Sequence, residues 1–335
     1  MKISYLLAPL ICVIVLAGCG RNTADSAEFS KAVFAMDTEM TLKAYGANSE
    51  SAVNAAEREI NRLDRLFDRG RDGSDINKVN AEGTAKVSSD TSALTETALD
   101  VCEATDGAFD ITIAPVMDLW GFYTGEYQVP DDDELAKAMA KVDRAKVNVD
   151  GEVVSVKDGA KLDLGGIAKG YLSARIMEIF RENGVESGIV SLGGNVQALG
   201  LKPDGSKWRV AIQDPRETDM FIGSVSISDK AVITSGGYQR YFEDGGNIYH
   251  HIIDPSTGYP AESGLSSVSI ISEDGATADG LSTALFVMGL DKGSDFWRAH
   301  NGFDVIFVTG DGEIYVTDGL SGVFESERKY TVIKR

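Results

Sequence analysis

Between residues 188 and 272 the chain is a succession of short β-branched runs: "GIVSLGG", "WRVAIQD", "IGSVSIS", "AVITSGG", "NIYHHIID" and "LSSVSIIS". Each run has the length and composition of one strand, and all but one of the gaps between them are ten residues or fewer, down to two between "IGSVSIS" and "AVITSGG". Turns that short join antiparallel neighbours, whereas a parallel pair needs a crossover of a dozen or more residues. Helical patterns precede and follow this β-rich half. "SESAVNAAEREINRLDRLF" from Ser49 places Val53, Ala56, Ile60, Leu63 and Phe67 on one face. Leu94, Ala98, Val101 and Cys102 mark a second helix, opened by Ser88/Ser89 and closed before Gly107. "PDDDELAKAMAKV" opens a third with acids in its first turn, and residues 167–183 form another that stops at Gly184. Residues 277–288 and a segment near 291–300 complete the helices. "MTLKAYG" reads as a strand, and residues 147–156 and the segment around Asp311–Gly312 read as hairpins. The expected fold class is α+β, with mixed, largely antiparallel sheets and interleaved helices.

The N-terminus is set apart from that fold. "MKISYLLAPLICVIVLAGCG" has one Lys, an apolar run from Ile3 to Ala17 and then small residues. This is the layout of a secretory signal peptide, and the run is short for a spanning helix of roughly 20 residues. "LAGC" resembles the bacterial lipobox. Residues 1–18 are therefore expected to be a lipoprotein signal peptide, with Cys19 as the lipidated first residue of the mature chain. Residues 19–31 are then a polar tether, and 32–335 one catalytic domain without an internal linker. Each buried lipid CH₂ contributes about 0.8 kcal/mol, so several acyl chains would hold the protein on the bilayer, on the extracytoplasmic (periplasmic) side. With Cys12 in the signal and Cys19 acylated, Cys102 is left alone as a small core residue.

The formal charge of −20 excludes nucleic acid as a partner, because phosphate backbones would be repelled. The same charge means that a phosphate-bearing ligand needs local positive ends: helix N-termini, a few Lys or Arg, or a metal ion. Three segments could supply them. "DLGGIAKGY" (Asp163 to Tyr171) ends a strand and opens a helix on two glycines, with Lys169 one turn in. It fits either an anion-binding turn or simply a tight strand–helix joint. In "ATADGLSTALFVMG", Asp279 and Thr283 are four residues apart on one helix face. They could hold Mg²⁺ through hard oxygens, or Asp279 could be an N-cap and Thr283 a back-bonding helix residue. In "HHIIDPSTGYP", two of only three histidines are adjacent and face opposite sides of a strand, so one of them at most faces a given pocket. That one could be a general base or a structural imidazole. A zinc site is disfavoured by the shortage of His and of paired Cys.

Taken together, "FAMDTEMTL", "SDINKVN", "TDGAFDITIAPVMDLWGF", "DLGGIAKGY", "SLGGNVQALG", "ITSGGYQRYF", "HHIIDPSTGYP" and "ADGLSTALFVMG" closely resemble the ApbE family of FAD:protein FMN transferases, in the family's order. The resemblance implies an enzyme that uses FAD and Mg²⁺. It would move the FMN half of FAD onto a threonine hydroxyl of an acceptor protein and release AMP. The alternatives are a relative that hydrolyses FAD to FMN and AMP, and a lipoprotein that only binds flavin. The implied acceptors are flavoprotein subunits of membrane electron-transfer complexes. Carried over by motif, His251 is the catalytic histidine, and the metal is held by Asp279, Thr283 and the backbone carbonyl of Gly166. Met36, Ala108, Phe109, Asp110, Asp163, Lys169 and Asp254 line the FAD site. This chain has Met36-Asp37-Thr38 where the family commonly has Met-Gly-Thr. It carries "RGR" (residues 69–71) in a segment where many relatives place an aromatic near the flavin. Mass spectrometry of the membrane-derived protein is expected to show an acylated N-terminus at Cys19; a mature chain starting at an unmodified Met1 would contradict it.

Overall fold

The computed structural model describes residues 27–335; the expected signal peptide, Cys19 and the tether up to residue 26 lie outside the described residues. The chain opens with β1 (Glu28–Ala35) and β2 (Thr38–Tyr45), then α1 (Ser49–Phe67), α2 (Asp75–Glu82) and β3 (Thr84–Lys86). Next come α3 (Ser89–Ala104), α4 (Ala114–Trp120), α5 (Asp132–Met139), β4 (Val147–Asp150), β5 (Val153–Val156) and α6 (Ala168–Glu182). The β-rich half follows as β6 (Ser187–Leu192), β7 (Asn195–Leu199), β8 (Trp208–Gln213), β9 (Phe221–Ile227), β10 (Ala231–Gly236), β11 (Tyr241–Asp244), β12 (Asn247–His250) and β13 (Leu265–Ser272). The last elements are α7 (Gly275–Ala299), β14 (Phe303–Thr309), β15 (Ile314–Thr317), β16 (Phe324–Glu325) and β17 (Thr331–Ile333).

Nine strands form the central sheet in the order β1-β2-β6-β7-β10-β13-β14-β15-β17. Every pairing in it is antiparallel except β15 with β17. The α+β class with largely antiparallel sheets is thus the observed one. Both faces of the sheet are covered. Ile233, Val268 and Ile270 point into a core shared with α1, α3, α6 and α7. Val232, Ile271 and Ile306 point the other way, onto the small sheet β16-β9-β8 through Trp208, Val210 and Val225. The twofold side-chain period of a strand sends alternate residues to each core. Burying each such Val, Ile or Phe stabilises the fold by about 1.5–3 kcal/mol relative to exposure. A third cluster, with Val116, Trp120, Phe122, Leu135 and Ile253, joins α4 and α5 to the segment after β12.

Several boundaries differ from the sequence expectation. β1 begins at Glu28, so the sheet takes in the last four residues of the stretch read as tether, which pair with β2 from Glu28↔Tyr45 to Lys31↔Leu42. The alternation of that edge strand is half polar, which hides it in the sequence. α2 and α4, each of eight residues or fewer, were not separable from their motifs; α2 is set by the Ser74 cap and ended by Gly83 in the left-handed region. The two C-terminal helical segments are two helices, as expected; they carry the single label α7 and are separated at Gly289, whose φ of 78° and ψ of 178° are not helical. Cys102 is fully buried, and burial pushes its thiol up to about 12, so it is a core residue and not a nucleophile.

What positions the site is the crossing of α6 and α7. A methyl group added at Gly170 would lie 2.1 Å from the Gly275 carbonyl oxygen and 2.6 Å from Cβ of Asp279. The two backbones touch, which only glycine permits. Gly170→Ala is expected to cost about 2–3 kcal/mol by overpacking, read from urea unfolding midpoints; wild-type stability would show that the crossing is not the tight contact described.

Candidate functional site

The residues of "ATADGLSTALFVMG" do not take the bland roles open to them. The N-cap of α7 is Asp274, whose side chain accepts from Thr277 N, so Asp279 lies inside the helix. The hydroxyl that bonds back along the helix is that of Ser282, to the Asp279 carbonyl at 2.8 Å, while Thr283 Oγ1 meets Ser235 Oγ of β10 at 3.2 Å. Asp279 is 4% exposed and reaches across to two other elements. Its Oδ2 accepts from the Gly170 amide at 2.8 Å, and its Oδ1 accepts from Asn195 Nδ2, at the start of β7, at 2.9 Å. Burial raises the Asp279 pKa, against the opposing pull of Lys169 and these donors. A carboxylate held by neutral donors in a closed environment still calls for a positive charge.

The first turn of α6 answers the second half of the ligand question. In a regular helix the Gly170 amide would bond the Gly166 carbonyl; here it bonds Asp279, and among the described residues no backbone amide donates to that carbonyl. The Phe109 ring covers Gly166 so closely that a methyl group there would be 2.9 Å from Cε2. Asp163 shapes the preceding turn: its Oδ1 accepts from the Gly165 amide at 2.8 Å and its Oδ2 lies 2.9 Å from Arg69 Nε. Lys169 Nζ reaches the Gly165 carbonyl at 3.3 Å. The Lys169 charge acts on both Asp279 and His251, which places all three groups within one electrostatic neighbourhood.

The adjacent histidines divide as their opposite strand faces require. His250 has both ring nitrogens engaged: Nε2 lies 3.2 Å from the Ala261 carbonyl, and Nδ1 accepts from the Ile252 amide at 3.3 Å. Its ring stands edge-on to Phe286 of α7. His251, just past the end of β12, places Nδ1 3.1 Å from the Arg240 carbonyl. A carbonyl can only accept, so that nitrogen carries the proton and Nε2 holds the lone pair. Burial pushes the His251 pKa down to about 3, with the Arg240 and Lys169 charges adding to the effect, so the ring is neutral at pH 7.

The remaining expected residues are placed as follows. Met36 and Asp37 form the β1–β2 turn with φ of 48° and 57°, a left-handed pair in which Gly would be unstrained and Asp is tolerated. The Met36 amide is fixed by Asp64 Oδ1 at 2.9 Å. Thr38, next in line, fills the space above Gly193 in the β6–β7 turn two residues before Asn195. Ala108 packs against the main core. Asp110 and Asp254 spend a carboxylate oxygen on their own turns, Asp110 on Thr112 and Asp254 on Ser256. The structure therefore gathers Asp163, Gly166, Lys169, Asp279, Thr283 and His251, with Phe109 against Gly166. Asn195, the Gly170 amide and Ser235 join them without having been singled out, and so does Arg69 of the "RGR" stretch, for which the sequence gives no role. Asn195 lies in the "SLGGNVQALG" motif, but nothing local signals its contact with Asp279.

The donor set fits Mg²⁺. It combines one carboxylate of depressed acidity, one hydroxyl and one freed carbonyl, all hard oxygens. No group of three or more His, Cys, Asp or Glu side chains suited to a metal occurs among the described residues, so a cation here would depend on that mixed set. His251 also sets an acid limit on stability. Its folded pKa is depressed from 6.5 to about 3, so the folded state binds fewer protons than the unfolded one between those values. Its contribution is full above about pH 6.5 and is lost as pH falls toward 3. Wild-type protein is expected to lose more unfolding free energy between pH 7 and pH 5 than His251→Gln, by on the order of 1–2 kcal/mol; equal losses would show that the imidazole is not held neutral by burial.

The sequence profile of the ApbE family matches residues 36–307. A curated relative from Treponema pallidum, an FAD:protein FMN transferase, is 35% identical over 335 aligned positions, covering 93% of this chain and 92% of the relative. One of the same name from Klebsiella pneumoniae is 33% identical, covering 88% and 93%. Among solved structures, the ApbE protein of Thermotoga maritima superposes with a TM-score of 0.84 at 35% identity, covering 90% of this chain and all of that one. The flavinyl transferase ApbE of Pseudomonas stutzeri, in its apo form, gives 0.81 at 30% identity, covering 90% of this chain and 98% of that one.

Proposed function

The chain belongs to the ApbE family, and from that premise we propose that it transfers FMN from FAD to a threonine hydroxyl of an acceptor protein, with release of AMP. The observation that supports the reading is that Asp279, with Thr283 one turn along α7, takes the Gly170 amide that would otherwise bond the Gly166 carbonyl, within a family match over residues 36–307. A diphosphate brings two negative charges into a protein of net charge −20. At about 4 Å and an effective dielectric of 20, each charge pair is worth roughly 4 kcal/mol, so local cations decide whether the substrate enters. Asp279, Thr283 and Gly166 O would hold Mg²⁺. When bound, the ion would supply charge neutralisation for the diphosphate and its leaving group.

The chain's own residues supply the rest. The acceptor threonine oxygen forms the new bond to the FMN phosphorus as the bond from that phosphorus to the AMP oxygen breaks, and the threonine proton goes to His251 Nε2. The Arg240 carbonyl fixes the tautomer that leaves this nitrogen free. Because burial disfavours the imidazolium, the proton passes from the ring to solvent as AMP leaves. Lys169 adds positive charge beside the phosphates, and Phe109 with the Asp163 turn shapes the wall. His250, both nitrogens engaged, anchors the strand end. The "LAGC" segment supports attachment of this activity to the outer side of a bacterial membrane, beside the membrane electron-transfer subunits that the family resemblance implies as acceptors.

Incubation with FAD, Mg²⁺ and an acceptor carrying the target threonine is expected to give AMP and flavin fluorescence that stays with the acceptor on a denaturing gel. AMP without label would mean hydrolysis, and neither signal would mean a binding protein. His251→Ala is expected to lower transfer by about 10²–10⁴-fold, and full transfer would exclude it as the base. Asp279→Ala is expected to abolish the Mg²⁺-dependent rate; undiminished turnover at low Mg²⁺ would exclude the metal assignment.

A further inference from the structure

Arg69 lies just after α1, outside every residue given a role above, yet its side chain is only 9% exposed. Its guanidinium joins two segments distant in sequence. Nε lies 2.9 Å from Asp163 Oδ2, and Nη1 bonds Asp118 Oδ1 of α4 at 2.6 Å. Nε and Nη2 are both buried without a hydrogen-bond acceptor among the described residues, so the contact with Asp163 is a close ion pair rather than an aligned hydrogen bond. The Tyr123 ring covers the guanidinium at 4.0 Å, and the Tyr123 hydroxyl bonds Asp68 Oδ1 at 2.7 Å. That pose depends on the residue after Arg69 being glycine: a methyl group at Gly70 would be 1.9 Å from the Tyr123 hydroxyl.

The connection onward is short. The carboxylate that is ion-paired with Arg69 through one oxygen accepts from the Gly165 amide with the other, and Gly166 follows with its carbonyl free. We propose that Arg69, seated by Tyr123 in the space left open at Gly70, is a positioning residue that aims the Gly166 carbonyl at the divalent cation. The inference rests on the metal reading above. It is distinguished by its sign. Removing a positive charge near a cation site would tighten cation binding by simple electrostatics. Losing the clamp on a supporting carboxylate would weaken it, as partners behind metal ligands do when removed.

The test uses Mn²⁺ as the probe, titrated into the full-length protein without FAD while the signal of free Mn²⁺ is followed by electron paramagnetic resonance. Arg69→Met is expected to raise the Mn²⁺ dissociation constant about ten- to a hundredfold. Arg69→Lys is expected to restore little, because an ammonium cannot bridge two carboxylates as the planar fork does. Gly70→Ala keeps Arg69 but displaces Tyr123, and is expected to weaken binding by a smaller factor. Arg328→Met strips Asp214 of its partner away from the site, and controls for destabilisation by a lost ion pair; its Mn²⁺ affinity is expected to equal that of the wild type. Unchanged or tighter binding in both Arg69→Met and Gly70→Ala overturns the positioning role while leaving the metal site standing. Failure of the wild type to bind Mn²⁺ overturns the metal reading itself, and the positioning role with it.

Discussion

A single buried carboxylate ties this structure together. Asp279 sits in the second turn of α7, accepts from the first turn of α6 and from the first residue of β7, and is closed off from water. Those bonds span 109 and 84 residues of sequence, so they form only when the three elements have docked. The glycines at positions 170 and 275 let the helices approach closely enough for the amide to reach the carboxylate. Diverting the Gly170 amide frees the Gly166 carbonyl. The contact that joins α6 to α7 is therefore also the one that leaves the Gly166 carbonyl unpaired, and the proposed metal site would follow from packing.

The same arrangement resolves the charge problem of an acidic enzyme acting on a diphosphate. Net charge repels the substrate at long range, but that repulsion is screened beyond about a Debye length, and local cations act within a few ångströms. Lys169 stands where it acts on both Asp279 and His251. The imidazole is held neutral by burial, so it adds no charge while keeping a lone pair available. His250, one residue earlier, is consumed by the Ala261 carbonyl and the Ile252 amide. Adjacent histidines thus serve opposite purposes because the strand sends them to opposite sides.

Much of this was legible from local pattern, and the rest was not for identifiable reasons. The amphipathic face of α1 and the alternation of β10 and β13 follow from side-chain periods, which sequence displays directly. The spacing of Asp279 and Thr283 showed the paired oxygens, but not that Asp274 would take the cap and Ser282 the back-bond. β1 escaped because an edge strand with a half-polar alternation carries little hydrophobic signal. Asn195 escaped, and Arg69 stood out only as part of "RGR", because their contacts come from partners far away in sequence: a side-chain amide on a strand and a guanidinium in a loop have no local signature of what they touch. Asp110 and Asp254 were legible as carboxylates in motifs, whereas their contacts to Thr112 and Ser256 appear only with the turn geometry.

The most direct measurement is an anomalous difference map from a crystal grown with Mn²⁺ and FAD. The account predicts one peak within coordination distance of Asp279, Thr283 Oγ1 and the Gly166 carbonyl oxygen, with diphosphate oxygens completing its shell. A peak elsewhere, or an Asp279 that remains sealed between Gly170 and Asn195 with the diphosphate bound at another surface, would contradict it.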